Sequence, residues 1–318
     1  MIYFEELHSS IEVDLLGSYM WTELFDLHSH STNSDGQHSV DEVAQLMKAS
    51  KVRFWSLTDH DTISGWEGAK TAAEAKGLVF IPGVELTCTP GLKADPDVMK
   101  KHQRERASDS WHLLAYFPDI DFQSEQHLQF KSWLAPLGEG RIPRMVTMVN
   151  KLGELGMPID LDAVLARAGD SVGRPHLADE MVKQGYVESR QEAFDKWIGD
   201  GKPVHITRIK PSIVEACEAV HAAGGITSLA HPLYYCVNTD ELVRFCLDSG
   251  VDAIECFHRS HKDSYRFQLW SAAKDTSLGI TCGSDFHGTM YNQSPGRMAV
   301  PASTLPQQLK KALNALGA

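Results

Sequence analysis

Strand and helix signals alternate along most of this chain, and that alternation points to parallel strands with helices packed outside them. The first clear strand runs over residues 23–28. Ser39-Val40-Asp41-Glu42 reads as a capping box that opens a helix reaching about residue 50. A strand over 53–58, a helix over 65–76 and a strand over 78–87 follow. From 91 to 109 the composition turns to Lys, Arg, Asp and Pro without an apolar period, which predicts a loop or disordered excursion. A strand resumes over 111–117. Between 124 and 210 the strand signals vanish and helical ones crowd together: Pro143 and Pro175 suit first helical turns, and Ser189-x-x-Glu192 is a second capping box. The alternation then returns, with helices over 211–223, 239–249 and 261–276 and strands over 226–231, 252–257 and 279–284. Thr304-x-x-Gln307 is read as the cap of a last helix. The expected organisation is an N-terminal extension (1–22), a β/α portion (23–123 and 211–318) and a helical insertion (124–210).

Composition narrows the class. The chain has 318 residues, 42% hydrophobic and 23% charged, which fits a globular protein with a real core and excludes collagen-like, coiled-coil and disordered chains. Its longest apolar stretches, such as Leu78-Val79-Phe80-Ile81, fall far short of the ~20 residues of a membrane helix. Glu5, Glu6, Glu12 and Asp14 stand where an export signal would carry positive charge, and the six cysteines contain no C-x-x-C pair. Reduced thiols and a cytoplasmic address are the expectation. A net charge of −12 disfavours a long nucleic-acid duplex, and fifteen histidines direct attention to bound cations.

The chemistry-bearing residues cluster at strand ends. His28 and His30 lie two apart on an extended segment, so their rings face the same way and can grip one ion. Asp285 and His287 repeat the spacing near the other end of the chain. His60 follows the strand over 53–58, Glu85 lies in Pro82-Gly83-Val84-Glu85-Leu86, His112 opens His112-Leu113-Leu114-Ala115-Tyr116, and His231 ends Leu229-Ala230-His231. Asp35 lies in the first loop. Scattered core histidines would not be distributed in this way, whereas loops at the carboxyl ends of barrel strands are where such folds hold their active sites.

The succession DLHSHST-SDG, LTDHDT, GVELT, HLLAY, LAHP and GSDFHG resembles the PHP (polymerase and histidinol phosphatase) superfamily of metal-dependent phosphoesterases, over about residues 24–117 and 211–300. The resemblance implies an α/β fold, a distorted seven-stranded β/α barrel of PHP type with a helical insertion domain, and a trinuclear metal site. It implies a first ion held by His28, His30, Glu85 and Asp285, a second by Glu85, His112 and His231, and a third by Asp35, His60 and His287. Asp35 stands where many relatives have histidine. With Glu85 shared, these residues leave positions on each ion for water and phosphate oxygens. Imidazole and carboxylate donors without thiolate suit Mn, Fe or Zn. Three divalent cations would move the charge from −12 to about −6.

The insertion, with Gly173-Arg174-Pro175-His176, resembles the nucleotide-handling branch, which includes 3′,5′-nucleoside bisphosphate phosphatases and a 5′-to-3′ exoribonuclease. Arg174 and His176 flank Pro175 at a helix start, where free N–H groups and the dipole favour phosphate; Arg141 and Arg144 bracket Pro143 in the same way. His258 and His261 follow the strand over 252–257 and are further substrate-side candidates, while Tyr234 and Tyr235 can stack on a base or simply pack. The expectation is a phosphatase that hydrolyses a phosphate monoester of a small nucleotide, AMP-like or a 3′,5′-bisphosphate, with a metal-bridging hydroxide and Asp285 as proton acceptor. The alternatives are a 5′-to-3′ exonuclease on short oligonucleotides, a histidinol-phosphate phosphatase, or a silent regulator. No membrane partner is expected.

Overall fold

A computed structural model describes residues 21–105, 107–168, 171–289, 294–296 and 298–314; the extension expected over 1–22 lies outside these up to residue 20. The protein is α/β, with helices alternating with short strands as the pattern predicts. The Ser39 capping box forms: the Ser39 hydroxyl accepts the Glu42 N–H, and the Glu42 carboxylate accepts the Ser39 N–H at 2.8 Å, starting the helix Val40–Ala49. Ser212 and Glu215 start Ile213–Ala222 identically. These caps satisfy N–H groups that the first helical turn leaves without partners.

Among the described residues the strands form three sheets. Phe25–Asp26, Phe54–Trp55 and Val79–Phe80 pair in parallel. Gly83–Cys88, Trp111–Tyr116, Ile226–Leu229, Ala253–His258 and Gly279–Gly283 form a five-stranded sheet, and Trp21–Thr22 pairs with Val300–Pro301. The strand expected over 78–87 is two strands, Val79–Phe80 and Gly83–Cys88. Pro82 lies at the break and has no N–H to give to a ladder. A second correction concerns direction: Trp111–Tyr116 is antiparallel to both Gly83–Cys88 and Ile226–Leu229. A parallel neighbour needs a crossover, usually a helix packed on the sheet. Between Cys88 and Trp111 the described residues hold only the short helix Pro96–Lys101, and after Tyr116 the chain passes into a run of helices from Glu125 to Ala222. That short helix corrects the loop expected over 91–109; the Asp95 side chain caps it, accepting the Asp97 N–H at 2.8 Å. The last helix, Gln307–Asn314, starts beyond Thr304, whose hydroxyl instead donates to the Pro301 carbonyl.

The strands Phe25–Asp26 and Gly279–Gly283 meet through the segments that follow them. Leu27 N–H donates to Cys282 O at 3.2 Å and His30 N–H to Phe286 O at 2.9 Å. The buried Asp26 carboxylate accepts the Ser284 and Gly296 N–H groups. A Cβ at Gly283 would stand 2.3 Å from the His28 Cβ, so only glycine allows this approach. The largest buried cluster lies between the five-stranded sheet and its helices, and residues 145–204 gather a second one around Met148, Leu152, Leu177, Met181 and Ile198. All six cysteines are buried free thiols.

Candidate metal centre

Five of the imidazoles singled out in the sequence, those of His28, His30, His60, His112 and His231, converge on Glu85. Its Oε2 lies 3.2 Å from His28 Nε2, 3.2 Å from His30 Nε2 and 3.1 Å from His60 Nδ1. Its Oε1 lies 2.7 Å from His112 Nδ1 and 2.9 Å from His231 Nε2. Asp285 Oδ1 stands 3.5 and 3.4 Å from the same two Nε2 atoms of His28 and His30. Donors at the ~2.1 Å bond length of nitrogen and oxygen ligands stand about 3.4 Å apart on a tetrahedron. The quartet His28, His30, Glu85 and Asp285 has that spacing along its measured edges. His28 Nε2, His30 Nε2 and Glu85 Oε2 are all buried without a hydrogen-bond partner, as expected of atoms whose proper partner is a cation. The donor set therefore fits a divalent metal. Glu85 Oε1 also meets His112 and His231, while His60, Glu85 and His112 lie close enough together to make a second such group. A third, wider one has Asp35 Oδ1 3.2 Å from His287 Nε2 and Asp35 Oδ2 3.8 Å from His60 Nε2.

Charge is arranged accordingly. Burial works against ionisation of Glu85, Asp35 and Asp285, but the surrounding imidazoles hold all three well below the ordinary carboxylate range. Burial likewise works against charge on His28, yet Glu255, Glu85 and Asp285 raise it well above a free imidazole. His30 is pushed up to about 10 against its own burial by Asp285 and Glu85, whereas burial takes His60 down to about 3. Protons on His28 and His30 thus sit where a cation would.

Backbone and second-layer contacts fix these donors. His231, Asp285 and Asp61 have φ of +28°, +49° and +51°, uncommon for residues other than glycine and concentrated here at the site. Glu255 was not anticipated from sequence. Fully buried, its Oε1 accepts from His28 Nδ1 at 3.0 Å and its Oε2 accepts the His231 N–H at 2.7 Å. The first contact turns His28 Nε2 toward Glu85 and Asp285, the orientation a metal-binding imidazole needs. A carboxylate in an otherwise apolar strand was the available signal, since buried charge demands partners. Asp59 accepts from Ser31 N, Ser31 Oγ and Ser34 Oγ at 2.6–2.7 Å, pinning the loop that carries Asp35. Asp61 accepts from Thr87 N–H and pairs with both Arg141 and Arg208.

A cavity of about 610 Å³ opens over Asp35, Glu85 and Asp285. Beside it a recess of about 170 Å³ lies against Asp35, His60 and His112, walled by Arg141, Arg144, Arg208 and Lys210. The substrate-side candidates are distributed unevenly. Arg174 lines both spaces but is ion-paired to Asp200. His176 is buried and turned onto its own helix start, its Nδ1 accepting the Gly173 N–H at 3.0 Å. His258 is buried with Nε2 3.4 Å from Asp285 Oδ2, and His261 lies behind it, donating from Nδ1 to Cys256 O at 2.9 Å. Arg259, also unanticipated, reaches Asp285 Oδ2 at 3.4 Å. No helix among the described residues is long and apolar enough to cross a membrane.

Known proteins resemble this chain in sequence and fold. A family model described as "PHP domain" matches residues 26–192. A 5′-3′ exoribonuclease of Haemophilus influenzae is 32% identical over 84% of this chain and 90% of its own length. A 3′,5′-nucleoside bisphosphate phosphatase of Chromobacterium violaceum is 29% identical over 82% of this chain and 86% of its own length. The solved structure of an amidohydrolase from Chromobacterium violaceum, with bound sulfate and no metal, covers 91% of this chain and 95% of its own at a TM-score of 0.74 and 26% identity.

Proposed function

The chain belongs to the PHP domain family, and from that premise we propose that it hydrolyses a phosphate monoester of a small nucleotide carrying a second phosphate, a 3′,5′-nucleoside bisphosphate. In this reading the three-stranded and five-stranded sheets are arcs of one distorted barrel, seven-stranded when Val79–Phe80 and Gly83–Cys88 count as one broken strand, with residues 124–210 forming a substrate-capping insertion. Three divalent ions of Mn, Fe or Zn are held by His28, His30, Glu85 and Asp285, by Glu85, His112 and His231, and by Asp35, His60 and His287. Bound there, such ions polarise phosphoryl oxygens and lower the pKa of water. The chain's own residues do the rest. Glu85 sets the spacing between the first two groups of donors. Asp285 keeps Oδ2 turned away from His28 and His30, toward His258 and Arg259, and accepts a proton there.

The observation that carries the reading is the cationic recess beside Asp35 and His60. Arg141 and Arg208 share the single carboxylate of Asp61, and Lys210 lies near Asp109, whereas Arg144 has no carboxylate partner among the described residues. Its Nε donates to the Ile206 carbonyl at 2.7 Å, and burial together with Arg174, Arg208 and Arg141 lowers it to about 10. A non-reacting phosphate there would relieve that crowding of positive charge. Arg174 lines the same space, held by Asp200. Phosphate release from adenosine 3′,5′-bisphosphate and from AMP, measured with added Mn²⁺, tests the reading: kcat/KM should favour the bisphosphate, and Arg144→Ala should remove that preference. Loss of a charge-assisted hydrogen bond is worth roughly 1.5–3 kcal/mol, or about 10- to 150-fold. Equal rates on both substrates in the wild type would refute it. The second reading, 5′-to-3′ removal of nucleotides from short RNA or DNA, is supported by the similarity to the Haemophilus influenzae enzyme; a 5′-labelled oligonucleotide in the same assay decides between them.

A further inference from the structure

We propose that the cavity over the metal centre contains a nucleobase subsite built from two guanidinium–aromatic pairs, Arg104 on Tyr234 and Arg174 on Phe194. The proposal rests on the nucleotide reading above and extends it from the phosphates to the base.

Two adjacent tyrosines follow His231, and the structure gives them opposite fates. Tyr235 is 1% exposed and stacked on Trp111 at 4.5 Å; its hydroxyl accepts the His112 N–H at 2.8 Å and lies 3.3 Å from the His112 carbonyl. That ring is fully used in holding His112. Tyr234 is half-buried and lines the cavity, with the Arg104 guanidinium 4.5 Å from its ring centroid. Arg104 lines the same cavity and has no carboxylate within ion-pair distance among the described residues. Its charge is therefore spent on the tyrosine face and on whatever enters.

The segment carrying Arg104 is anchored. Asp95 N–H donates to Cys236 O at 2.8 Å, Ser108 N–H donates to Tyr234 O at 3.2 Å, and the His102 ring meets Tyr265 edge-on at 5.5 Å. Arg104 and Tyr234 thus belong to one braced unit. From the insertion side, Phe194 lines the cavity with the Arg174 guanidinium 5.5 Å from its ring centroid, and Asp200 fixes that guanidinium. Pairing Arg174 with Asp200 neutralises it as a phosphate ligand but leaves its flat π-face, which suits a base better than an anion.

A planar, electron-poor guanidinium backed by an aromatic ring is a stacking surface for heteroaromatic bases. The cavity reaches from these pairs down to Asp35, Glu85 and Asp285, so a single ligand would lie with its phosphate at the acidic floor and its base at the aromatic walls. Its volume of about 610 Å³ is within the roughly 300–1,000 Å³ of small-molecule sites.

The test compares adenosine 3′,5′-bisphosphate with the base-free 1-deoxyribose 3,5-bisphosphate on the metal-loaded full chain. Stacking of one base on an aromatic platform corresponds to about 5- to 150-fold, so the wild type should prefer the nucleotide by a factor in that range. Tyr234→Ala and Arg104→Ala should each collapse the nucleotide-to-base-free ratio of kcat/KM, with KM carrying most of the change, and Tyr234→Phe should restore it. Arg104→Ala keeps the test decisive if the Tyr234→Ala chain does not fold. A wild-type ratio near one, or variants that lose equally on both substrates, would overturn the subsite. If the wild type hydrolyses neither compound, the phosphatase reading fails. The subsite is then judged by calorimetric binding of AMP against ribose 5-phosphate, where a difference under twofold would overturn it as well.

Discussion

Asp61→Asn should destabilise the protein by roughly 3–5 kcal/mol, the cost of breaking a buried ion pair by removing one partner. The Asp61 side chain is 0% exposed, and its two guanidinium partners, Arg141 and Arg208, are 10% and 7% exposed. The asparagine keeps the left-handed backbone at φ +51° and an oxygen for the Thr87 N–H at 2.8 Å, while its NH2 replaces the Oδ2 that accepts from both guanidiniums, so the charge and those two hydrogen bonds are lost together. Because Arg141 and Arg208 wall the recess beside His60, the same variant should also weaken the preference for a second phosphate. Burial opposes ionisation of Asp61, but Arg208 and Arg141 hold it below the ordinary carboxylate value of 3.8. A depressed folded pKa means that this stabilisation is present in full above the unfolded value and is lost as pH falls below it toward the folded one. The wild-type advantage should accordingly be complete at neutral pH and shrink in acid. Urea unfolding of both chains at pH 7 and in acid, followed by circular dichroism, measures it. A loss under about 1 kcal/mol at pH 7, or a gap that widens in acid, would refute the reasoning.

Three further outcomes follow from the donor geometry. Glu85→Ala should lose more bound metal than any other single ligand change, because Glu85 alone contacts donors of both the first and second groups; metal content equal to wild type would remove it from the bridging position. Asp285→Asn should depress kcat by roughly 10²–10⁴-fold with metal largely retained, since the amide oxygen can ligate but the group accepts no proton; near-normal kcat would refute that role. Glu255→Gln should weaken metal binding by about 10–100-fold in chelator competition, because one amide offers a single oxygen where His28 Nδ1 and the His231 N–H each require one; unchanged affinity would leave Glu255 a purely structural residue.

The convergence of these side chains was legible in sequence because a two-residue period puts His28 beside His30 on one face, and because strand ends mark the rim of such folds. Strand direction was not. The apolar run of Trp111–Tyr116 looks the same whether the strand runs with or against its neighbours, and only the connections on either side decide. The helix Pro96–Lys101 was announced by Asp95-Pro96, a cap followed by proline in the first turn, but the surrounding charges masked it. Arg174 illustrates the limit on the substrate side. Its place at a helix start is local and was readable, while its pairing with Asp200 is set by how the insertion folds back on itself. Asp61, with partners 80 and 147 residues away, was hidden between the more obvious Asp59-His60 and the following loop for the same reason.

The central claim is that the residues around Glu85 hold more than one divalent cation. Anomalous diffraction at the metal absorption edges, from crystals grown with Mn²⁺ or Zn²⁺, tests it most directly. The account predicts one ion between Glu85 Oε2, His28, His30 and Asp285, a second between Glu85 Oε1, His112 and His231, and a third beside Asp35 and His287. A single ion, or ions none of which touches Glu85, would contradict it.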